Sequence, residues 1–259
     1  MIDKSELLRE ERFWDEIGGE WLKESNPASL LVGDPRQFLS GSSVAFEYLL
    51  GQLGDIRGKR YLDYGCGSGW FSTFLAQRGA FVEGFDISLK LVQLGMKRAA
   101  ANGVVDHVSL KKMTAEVLDY PDEHFDGVVG ISILHHISLD EGGRELFRVL
   151  KSGGRALFIE PLGQSKVLDW VRNHLFRIHH GHVRVVDAEH PLTYDNIRSI
   201  GSLFRQVEYR EFQLLSMIAR VTGDGLTRAL GLEAADDWIL QSCPSLRKFC
   251  RLVVIGCMK

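Results

Sequence analysis

Short apolar runs alternate with longer amphipathic segments through the middle of the chain, from Lys59 to Pro161. Runs of this length are typical of buried strands, and the segments between them repeat their apolar residues at helical spacing. Buried strands that alternate with helices predict a parallel sheet with helices on both faces. The predicted strands are 60–64, 81–86, 107–112, 125–131 and 155–160, and the predicted helices are 69–78, 88–102, 114–118 and 140–150.

Both ends of the chain add elements to this core. Residues 1–50 are predicted to be helical and amphipathic, with a break at Asn26-Pro27, and residues 51–259 to form the main domain. Residues 162–192 are rich in His and Arg and lack clean periodicity. A helix is predicted to start near Thr193, which is a suitable N-cap, and two further strands are predicted at 207–213 and 249–256.

The segment 214–243, between these last two strands, is fairly apolar and is predicted to be helical. A connection this long usually has a function or a structure of its own. We consider four alternatives for it. It covers a binding pocket, forms a dimer face, touches a membrane surface, or packs on the core as a satellite helix pair.

Composition narrows the class of protein. The chain has 259 residues, a formal net charge of −3 and 25% charged residues, so no basic excess predicts binding to nucleic acid. Its four cysteines form no CxxC pair, which favours a reduced, cytoplasmic compartment. The charged N-terminus does not resemble a secretory signal, and no run approaches the roughly 20 apolar residues of a spanning helix.

A glycine-rich loop follows the first predicted strand, in the order Asp63-Tyr-Gly-Cys-Gly-Ser-Gly69. Glycine suits a turn that needs positive φ and lets the backbone approach a ligand closely. The helix that starts there offers unpaired N–H groups, and the carboxyl ends of parallel strands are where such sheets bind ligands. Asp86 ends the next strand, where a carboxylate can accept hydrogen bonds from both ribose hydroxyls. The combination predicts a nucleoside-containing ligand.

The spacing of the loop argues against a nicotinamide dinucleotide. The dinucleotide fingerprint is GxGxxG, and here the pattern is GxGxG followed by Trp70, Phe71 and Ser72, so the third fingerprint glycine is absent. Asp63 stands directly before the loop, and a carboxylate beside a pyrophosphate would be repulsive. A nicotinamide oxidoreductase therefore remains a weaker alternative.

Over residues 59–161 the chain resembles the class I S-adenosylmethionine (SAM)-dependent methyltransferases, in particular the methyltransferase type 11 or UbiE-like small-molecule group. The resemblance lies in 62–69, in Gly84-Phe-Asp86-Ile-Ser88, in 125–129, in Leu134-His-His136 and in 148–155. It implies an α/β fold with a Rossmann-like, seven-stranded, mostly parallel sheet whose last strand is antiparallel. It also implies SAM as cofactor, and lids over the acceptor formed by 1–50 and 162–192.

The resemblance also implies which residues hold the cofactor. The loop residues Asp63, Gly65, Cys66, Gly67, Gly69 and Trp70 would surround the methionyl and ribose parts, with Asp63 toward the amino group. Asp86 would bind the ribose and Ile87 would pack on the adenine. Thr114, Ala115 and Glu116 occupy the segment that contacts the adenine amino group, although the family commonly has an acidic residue where Thr114 stands. Ile131 would lie near the methionyl chain.

Histidines are the candidate bases, because their unperturbed pKa lies near neutrality, at roughly 6.5. His135 and His136 follow the fourth strand, where either can orient the acceptor or take its proton; the alternative is that the pair caps a loop or packs on the cofactor. His190 is the third candidate, since it stands just before the helix start at Thr193. Four tryptophans are candidates for an aromatic pocket wall: Trp14, Trp21, Trp70 and Trp170. Ordinary helix packing is the alternative for each except Trp70, which directly follows the glycine loop, and no metal is predicted.

These features predict SAM-dependent methyl transfer to a small-molecule acceptor, such as a secondary metabolite or a hydrophobic intermediate. A hydroxyl acceptor is favoured, because histidine bases suit hydroxyl groups. A SAM-binding protein that is regulatory or does not methylate is the other alternative. We expect no nucleic-acid partner, a monomer or homodimer, no transmembrane segment, and room for peripheral membrane contact.

Overall fold

The computed structural model describes residues 4–34, 43–164, 191–218 and 224–259. His190 and most of the segment 162–192 lie outside the described residues. The helices are α1 (Lys4–Glu24), α2 (Pro27–Leu30), α3 (Ser43–Leu53), α4 (Trp70–Ala76), α5 (Leu89–Ala101), α6 (Leu139–Val149), α7 (Tyr194–Gly201), α8 (Asp224–Ala229) and α9 (Leu232–Ser242). The strands are β1 (Arg60–Tyr64), β2 (Phe81–Asp86), β3 (Val108–Lys112), β4 (Phe125–Ile131), β5 (Leu150–Pro161), β6 (Gln206–Phe212) and β7 (Leu252–Met258).

The strands form one seven-stranded sheet in the order β3-β2-β1-β4-β5-β7-β6. The first five strands pair in parallel, and β7 runs antiparallel to both of its neighbours. The predicted fold class is confirmed. The order reverses direction around β1, and such a reversal opens a crevice at the carboxyl ends of the strands.

Two apolar cores lie on opposite faces of this sheet, because successive side chains of a strand point to opposite faces. In β1, Tyr61 belongs to the core formed with α3, α4 and α5, whereas Leu62 and Tyr64 belong to the core formed with α6 and α7. Val128 and Val129 of β4 divide in the same way. Burial on both faces explains why these strands are nearly continuous apolar runs.

The helix predicted at 114–118 is wrong. Thr114 and Val117 form an antiparallel bridge instead, and the Leu118 amide donates to Glu145 Oε2 at 2.8 Å. The Tyr64 hydroxyl donates to the Ala115 carbonyl at 3.1 Å. Five residues make a marginal helix, and these tertiary bonds satisfy the backbone without one.

Two strand boundaries also differ from the predicted ones. β5 begins at Leu150 instead of at the predicted residue 155, and the pairing of β4 with β5 shifts register between Phe125 and Gly127. β7 begins at Leu252, because Pro244–Phe249 forms a 3₁₀ turn that starts with a proline. The helix start at Thr193 is confirmed, with a capping box to Asn196.

The insertion 214–243 is helical in its described part, as predicted, through α8 and α9. The Asp236 carboxylate fixes its entry by accepting from the amides of Leu214, Leu215 and Ser216 at 2.7–3.1 Å. The side chain of Trp238 is 70% exposed, so α9 presents an aromatic residue to solvent. Within the described ranges, no helix combines the length and the apolar content needed to cross a bilayer.

Candidate functional site

A cavity of about 400 Å³ opens at the carboxyl ends of β1, β2, β3 and β4. This volume lies within the range of small-molecule sites, roughly 300–1,000 Å³. α1 forms one wall, and the ends of the strands, the loops that follow them and Leu91 of α5 form the rest. The described lining residues are Glu6, Leu7, Glu10, Trp14, Gly65, Gly67, Phe85, Asp86, Ile87, Leu91, Met113, Thr114, Ala115, Glu116, Ile131, Ser132, Ile133, His135, His136 and Ile137.

The three glycines of the loop have positive φ angles but different surroundings. Their φ angles are 72° at Gly65, 49° at Gly67 and 69° at Gly69. A Cβ at Gly65 would lie 2.5 Å from the Ile133 side chain, and one at Gly69 would lie 2.5 Å from the Gly95 Cα. A Cβ at Gly67 would meet nothing within 4 Å. Gly65 and Gly69 are therefore required by packing, whereas Gly67 keeps part of the cavity open.

This difference predicts different costs for two alanine substitutions. We expect Gly69→Ala to lower the free energy of unfolding by about 3 kcal/mol, because a backbone clash adds to left-handed strain. Gly67→Ala is expected to cost only about 1 kcal/mol, since strain acts alone there. Urea unfolding of both variants measures this difference, and equal losses would contradict it.

Asp86 connects the glycine loop to the start of α5. Its Oδ2 accepts from the Gly67 amide and its Oδ1 from the Ser88 amide, each at 2.9 Å. Burial raises the pKa of Asp86 to about 6, although both amides and the nearby His136 lower it. The carboxylate is thus held rigidly in the lining of the cavity and is mostly ionised at pH 7.

Four of the predicted cofactor residues are absent from the described lining of the cavity. They are Asp63, Cys66, Gly69 and Trp70. The Trp70 ring packs against Phe46 and Phe71, with ring centroids 5.5 and 5.3 Å apart. The Asp63 carboxylate is buried and accepts from the Ser72 hydroxyl at 2.5 Å, in the first turn of α4. Asp63 therefore anchors the helix that follows the loop.

Burial raises the pKa of Asp63 to about 7, with a smaller contribution from the charge of Asp86. Because this pKa is higher in the folded than in the unfolded protein, protonation of Asp63 stabilises the fold. The contribution to the free energy of unfolding is fully present below the unfolded pKa, about 3.9, and is lost as the pH rises through about 7. We expect the melting temperature of the ligand-free protein to fall by several degrees from pH 6 to pH 8. Asp63→Asn, which cannot ionise, should flatten this profile. Equal slopes in both proteins would contradict the expectation.

His135 is held by a carboxylate at the end of β5. Its Nδ1 lies 2.7 Å from Glu160 Oε2, and both side chains are almost fully buried, 3% and 0% exposed. Glu160 Oε1 also accepts from the amides of Ile133 and Leu134 at 2.8 Å. One carboxylate therefore sets both the path of the loop and the orientation of the imidazole. Because a carboxylate accepts hydrogen bonds, Nδ1 carries the hydrogen and Nε2 is the basic atom of the neutral ring.

His136 contacts α1 instead. Its Nδ1 lies 3.3 Å from Glu10 Oε1, and its ring meets the Trp14 ring edge-on with centroids 5.9 Å apart. Burial alone would raise the pKa of Glu10, but hydrogen bonds from His136 and from the Trp14 indole lower it. The rings of His135 and His136 are 4.0 Å apart, so the two histidine–glutamate pairs are adjacent.

Sequence reasoning missed most of the wall that α1 supplies. Glu6, Leu7 and Glu10 line the cavity together with Trp14, and of these four the sequence indicates only Trp14 as a pocket wall. The spacing of these residues, one helical turn apart, marks a shared face of α1. Nothing in the sequence says against which element that face docks.

The described lining is acidic. It contains the four carboxylates of Glu6, Glu10, Asp86 and Glu116, and its described residues include no lysine or arginine. Carboxylates repel a pyrophosphate and attract a cation. The electrostatics of this part of the wall thus favour a ligand with positive charge over a dinucleotide.

Comparisons with known proteins agree with this geometry. Residues 62–158 match the family model described as methyltransferase domain. The chain is 36% identical over 111 residues to methyltransferase GfsG of Streptomyces halstedii, covering 42% of this chain and 40% of that protein. It is 35% identical over 130 residues to the ubiquinone/menaquinone biosynthesis C-methyltransferase UbiE of Vibrio parahaemolyticus, covering 46% and 49%. The chain spans less than half the length of either relative.

A solved structure shows the same fold. Geranyl diphosphate C-methyltransferase from Streptomyces coelicolor A3(2), in complex with Mg²⁺, geranyl diphosphate and S-adenosyl-L-homocysteine, superposes with a TM-score of 0.60. The identity is 19%, and the alignment covers 84% of this chain and 79% of that one. Identity this low speaks for the fold alone. The sequence match to the methyltransferase domain covers residues 62–158, and the shared fold covers 84% of the chain.

Proposed function

We propose that this chain is a SAM-dependent methyltransferase that methylates a hydroxyl group of a small, largely apolar molecule, with His135 as the general base. The observation that carries this proposal is the His135–Glu160 pair at the wall of the cavity, with a distance of 2.7 Å between Nδ1 and Oε2. A buried, oriented imidazole beside a ligand cavity is the arrangement that general-base catalysis requires.

The residues of the cavity fit SAM. Gly67 leaves space for close approach, and Asp86 offers a fixed carboxylate for ribose hydroxyls. The acidic lining suits a ligand with net positive charge. When bound, SAM supplies an electrophilic methyl group on its sulfonium and leaves as neutral S-adenosylhomocysteine.

The chain's own residues then have three tasks. The Nε2 atom of His135 takes the proton that the acceptor hydroxyl loses as its oxygen becomes methylated, and Glu160 stabilises the resulting imidazolium through Nδ1–H. The apolar side chains of Leu7, Trp14 and Ile137 exclude water and hold the acceptor against the methyl group. These side chains support an acceptor with an apolar body.

Several sequence predictions remain part of this proposal. They are the division into residues 1–50 and 51–259, the acceptor lid at 162–192, a cytoplasmic location, the absence of a nucleic-acid partner, and a monomeric or homodimeric state. His190 stays a candidate for acceptor contact. The insertion 214–243 keeps its four alternatives: a cover of the pocket, a dimer face, a membrane contact, or a helix pair packed on the core.

Calorimetric titration with SAM and with NADH, followed by a turnover assay, tests the proposal. We expect heat with SAM and none with NADH, and release of S-adenosylhomocysteine when a pooled metabolite extract is added. Heat with NADH alone would establish the oxidoreductase alternative. SAM binding without turnover on any hydroxyl-bearing fraction would favour the regulatory alternative.

A further inference from the structure

Helix α1 precedes the segment that matches the family model, yet it touches the start of α5 directly. The Ser88 hydroxyl donates to Asp15 Oδ1 at 2.6 Å, and the Lys90 amide donates to the same oxygen at 3.1 Å. A carboxylate at the first turn of a helix is stabilised by the unpaired amides and by the helix dipole. Asp15 therefore caps α5 from another helix.

Ser88 connects this cap to the candidate SAM site. Its side chain is fully buried, and its hydroxyl also accepts from the Leu91 amide at 3.2 Å as the N-cap of α5. Its amide donates to Asp86 Oδ1 at 2.9 Å, while Asp86 Oδ2 accepts from the Gly67 amide. An unbroken chain of hydrogen bonds thus runs from Asp15 through Ser88 and Asp86 to Gly67.

The backbone of α1 is shaped for this contact. Gly18 lies one turn after Asp15, and a Cβ there would lie 2.9 Å from the Leu91 amide nitrogen. Only glycine lets α1 approach the start of α5 this closely without displacing it. Close packing and hydrogen bonding therefore act together at the Asp15 end of α1.

We propose that Asp15 is a positioning residue of the SAM site, which fixes the Asp86 carboxylate and, with it, the Gly67 turn through Ser88. The inference rests on the proposed binding of SAM. The role of Asp15 is indirect, since Asp15 is not among the described residues that line the cavity. It assigns to α1 a role in cofactor binding in addition to that of a wall.

The charge of Asp15 predicts a measurable effect on the pH dependence of SAM binding. The described groups that act electrostatically with Asp86 include Asp63 of β1, Cys66 of the loop, His136 after β4 and Asp15 of α1. Burial contributes most to the raised pKa of Asp86, and the negative charge of Asp15 raises it further. Removing that charge lowers the pKa of Asp86, so SAM binding should persist to lower pH in Asp15→Asn than in the wild type.

The test compares Asp15→Asn and Ser88→Ala with a matched control on the same helix, Glu11→Gln. Glu11 also anchors α1, but its described ion pair, at 2.5 Å, is with Lys112 of β3. Calorimetry with SAM should show about tenfold weaker binding for Asp15→Asn at pH 7.5, as expected for one charge-assisted hydrogen bond, and about the wild-type affinity for Glu11→Gln. The double variant Asp15→Asn/Ser88→Ala should bind SAM no more weakly than whichever single variant has the lower affinity. Both substitutions interrupt the same series of hydrogen bonds, so their effects are not additive.

Two outcomes overturn the inference. One is equal SAM affinity in Asp15→Asn and Glu11→Gln, and the other is an unchanged low-pH limit of binding in Asp15→Asn. Amide hydrogen exchange at Gly67 and Ser88 in the ligand-free protein provides a readout independent of SAM, and it should be faster in Asp15→Asn than in Glu11→Gln. If the wild type fails to bind SAM, the proposed function fails, and the exchange comparison still decides whether Asp15 holds the loop.

Discussion

Replacing His135 by asparagine is expected to lower kcat by about 10²- to 10⁴-fold, the usual contribution of a general base. The affinity for SAM should stay within about twofold of the wild type, because the imidazole acts on the acceptor. The physical basis is the buried pair with Glu160, which fixes the Nδ1 hydrogen and leaves Nε2 as the proton acceptor. Steady-state kinetics and calorimetric titration with SAM measure the two effects separately.

His124→Asn is the matched control for this substitution. His124 also pairs with a glutamate, with Nε2 2.9 Å from Glu83 Oε1, but it is not part of the described cavity lining. Its replacement should leave kcat unchanged. A second comparison is His136→Asn, because the sequence left open which histidine is the base. A large loss in His136→Asn with near-normal turnover in His135→Asn would contradict the assignment and place the base on the α1 side.

Replacing Asp86 by alanine is expected to weaken SAM binding by at least about 100-fold, as the loss of two or more charge-assisted hydrogen bonds implies. The substitution removes the acceptor for ribose hydroxyls and also releases the amides of Gly67 and Ser88, each 2.9 Å from the carboxylate. The loop therefore loses its shape together with its ligand contact. Calorimetric titration with SAM gives the result directly.

Asp126→Ala provides the control for Asp86→Ala. Asp126 likewise accepts from a backbone amide, that of Arg60 at 2.8 Å, and forms an ion pair with Lys151, yet it is absent from the described lining of the cavity. Its loss should affect stability and leave SAM affinity near the wild-type value. A comparable loss of SAM affinity in both variants would show that Asp86 affects binding only through the stability of the fold. That result would contradict the assigned contact between Asp86 and the ribose.

Much of the fold could be predicted because its sheet is buried on both sides. Strands such as 60–64 and 125–131 are short, mostly apolar and mostly buried, and this pattern depends on burial on both faces of the sheet. The predicted helix at 114–118 fails for a different reason. Its backbone is satisfied by Glu145 and Tyr64, which are distant in sequence, and local propensity contains no information about such partners.

The candidate site likewise has features that local sequence predicts and features that depend on tertiary packing. The glycine loop and Asp86 could be found because their spacing is local and follows a strand. The direction of a single side chain could not be predicted from spacing: the Asp63 carboxylate accepts from the Ser72 hydroxyl, and the Trp70 ring packs against Phe46. The face of α1 that lines the cavity and the reach of Asp15 to Ser88 depend on how one helix docks on another. Amphipathic spacing predicts that such a face exists without naming its partner.

The most direct test of the central claim follows the methyl group itself. The purified protein is incubated with SAM that carries a trideuterated methyl group and with a pooled extract of small hydroxyl-bearing metabolites, and the products are analysed by mass spectrometry. We expect one product that has gained a single trideuteromethyl group on oxygen, formed together with S-adenosylhomocysteine and lost in His135→Asn. Bound SAM with no labelled product from any acceptor pool would contradict the proposed methyl transfer.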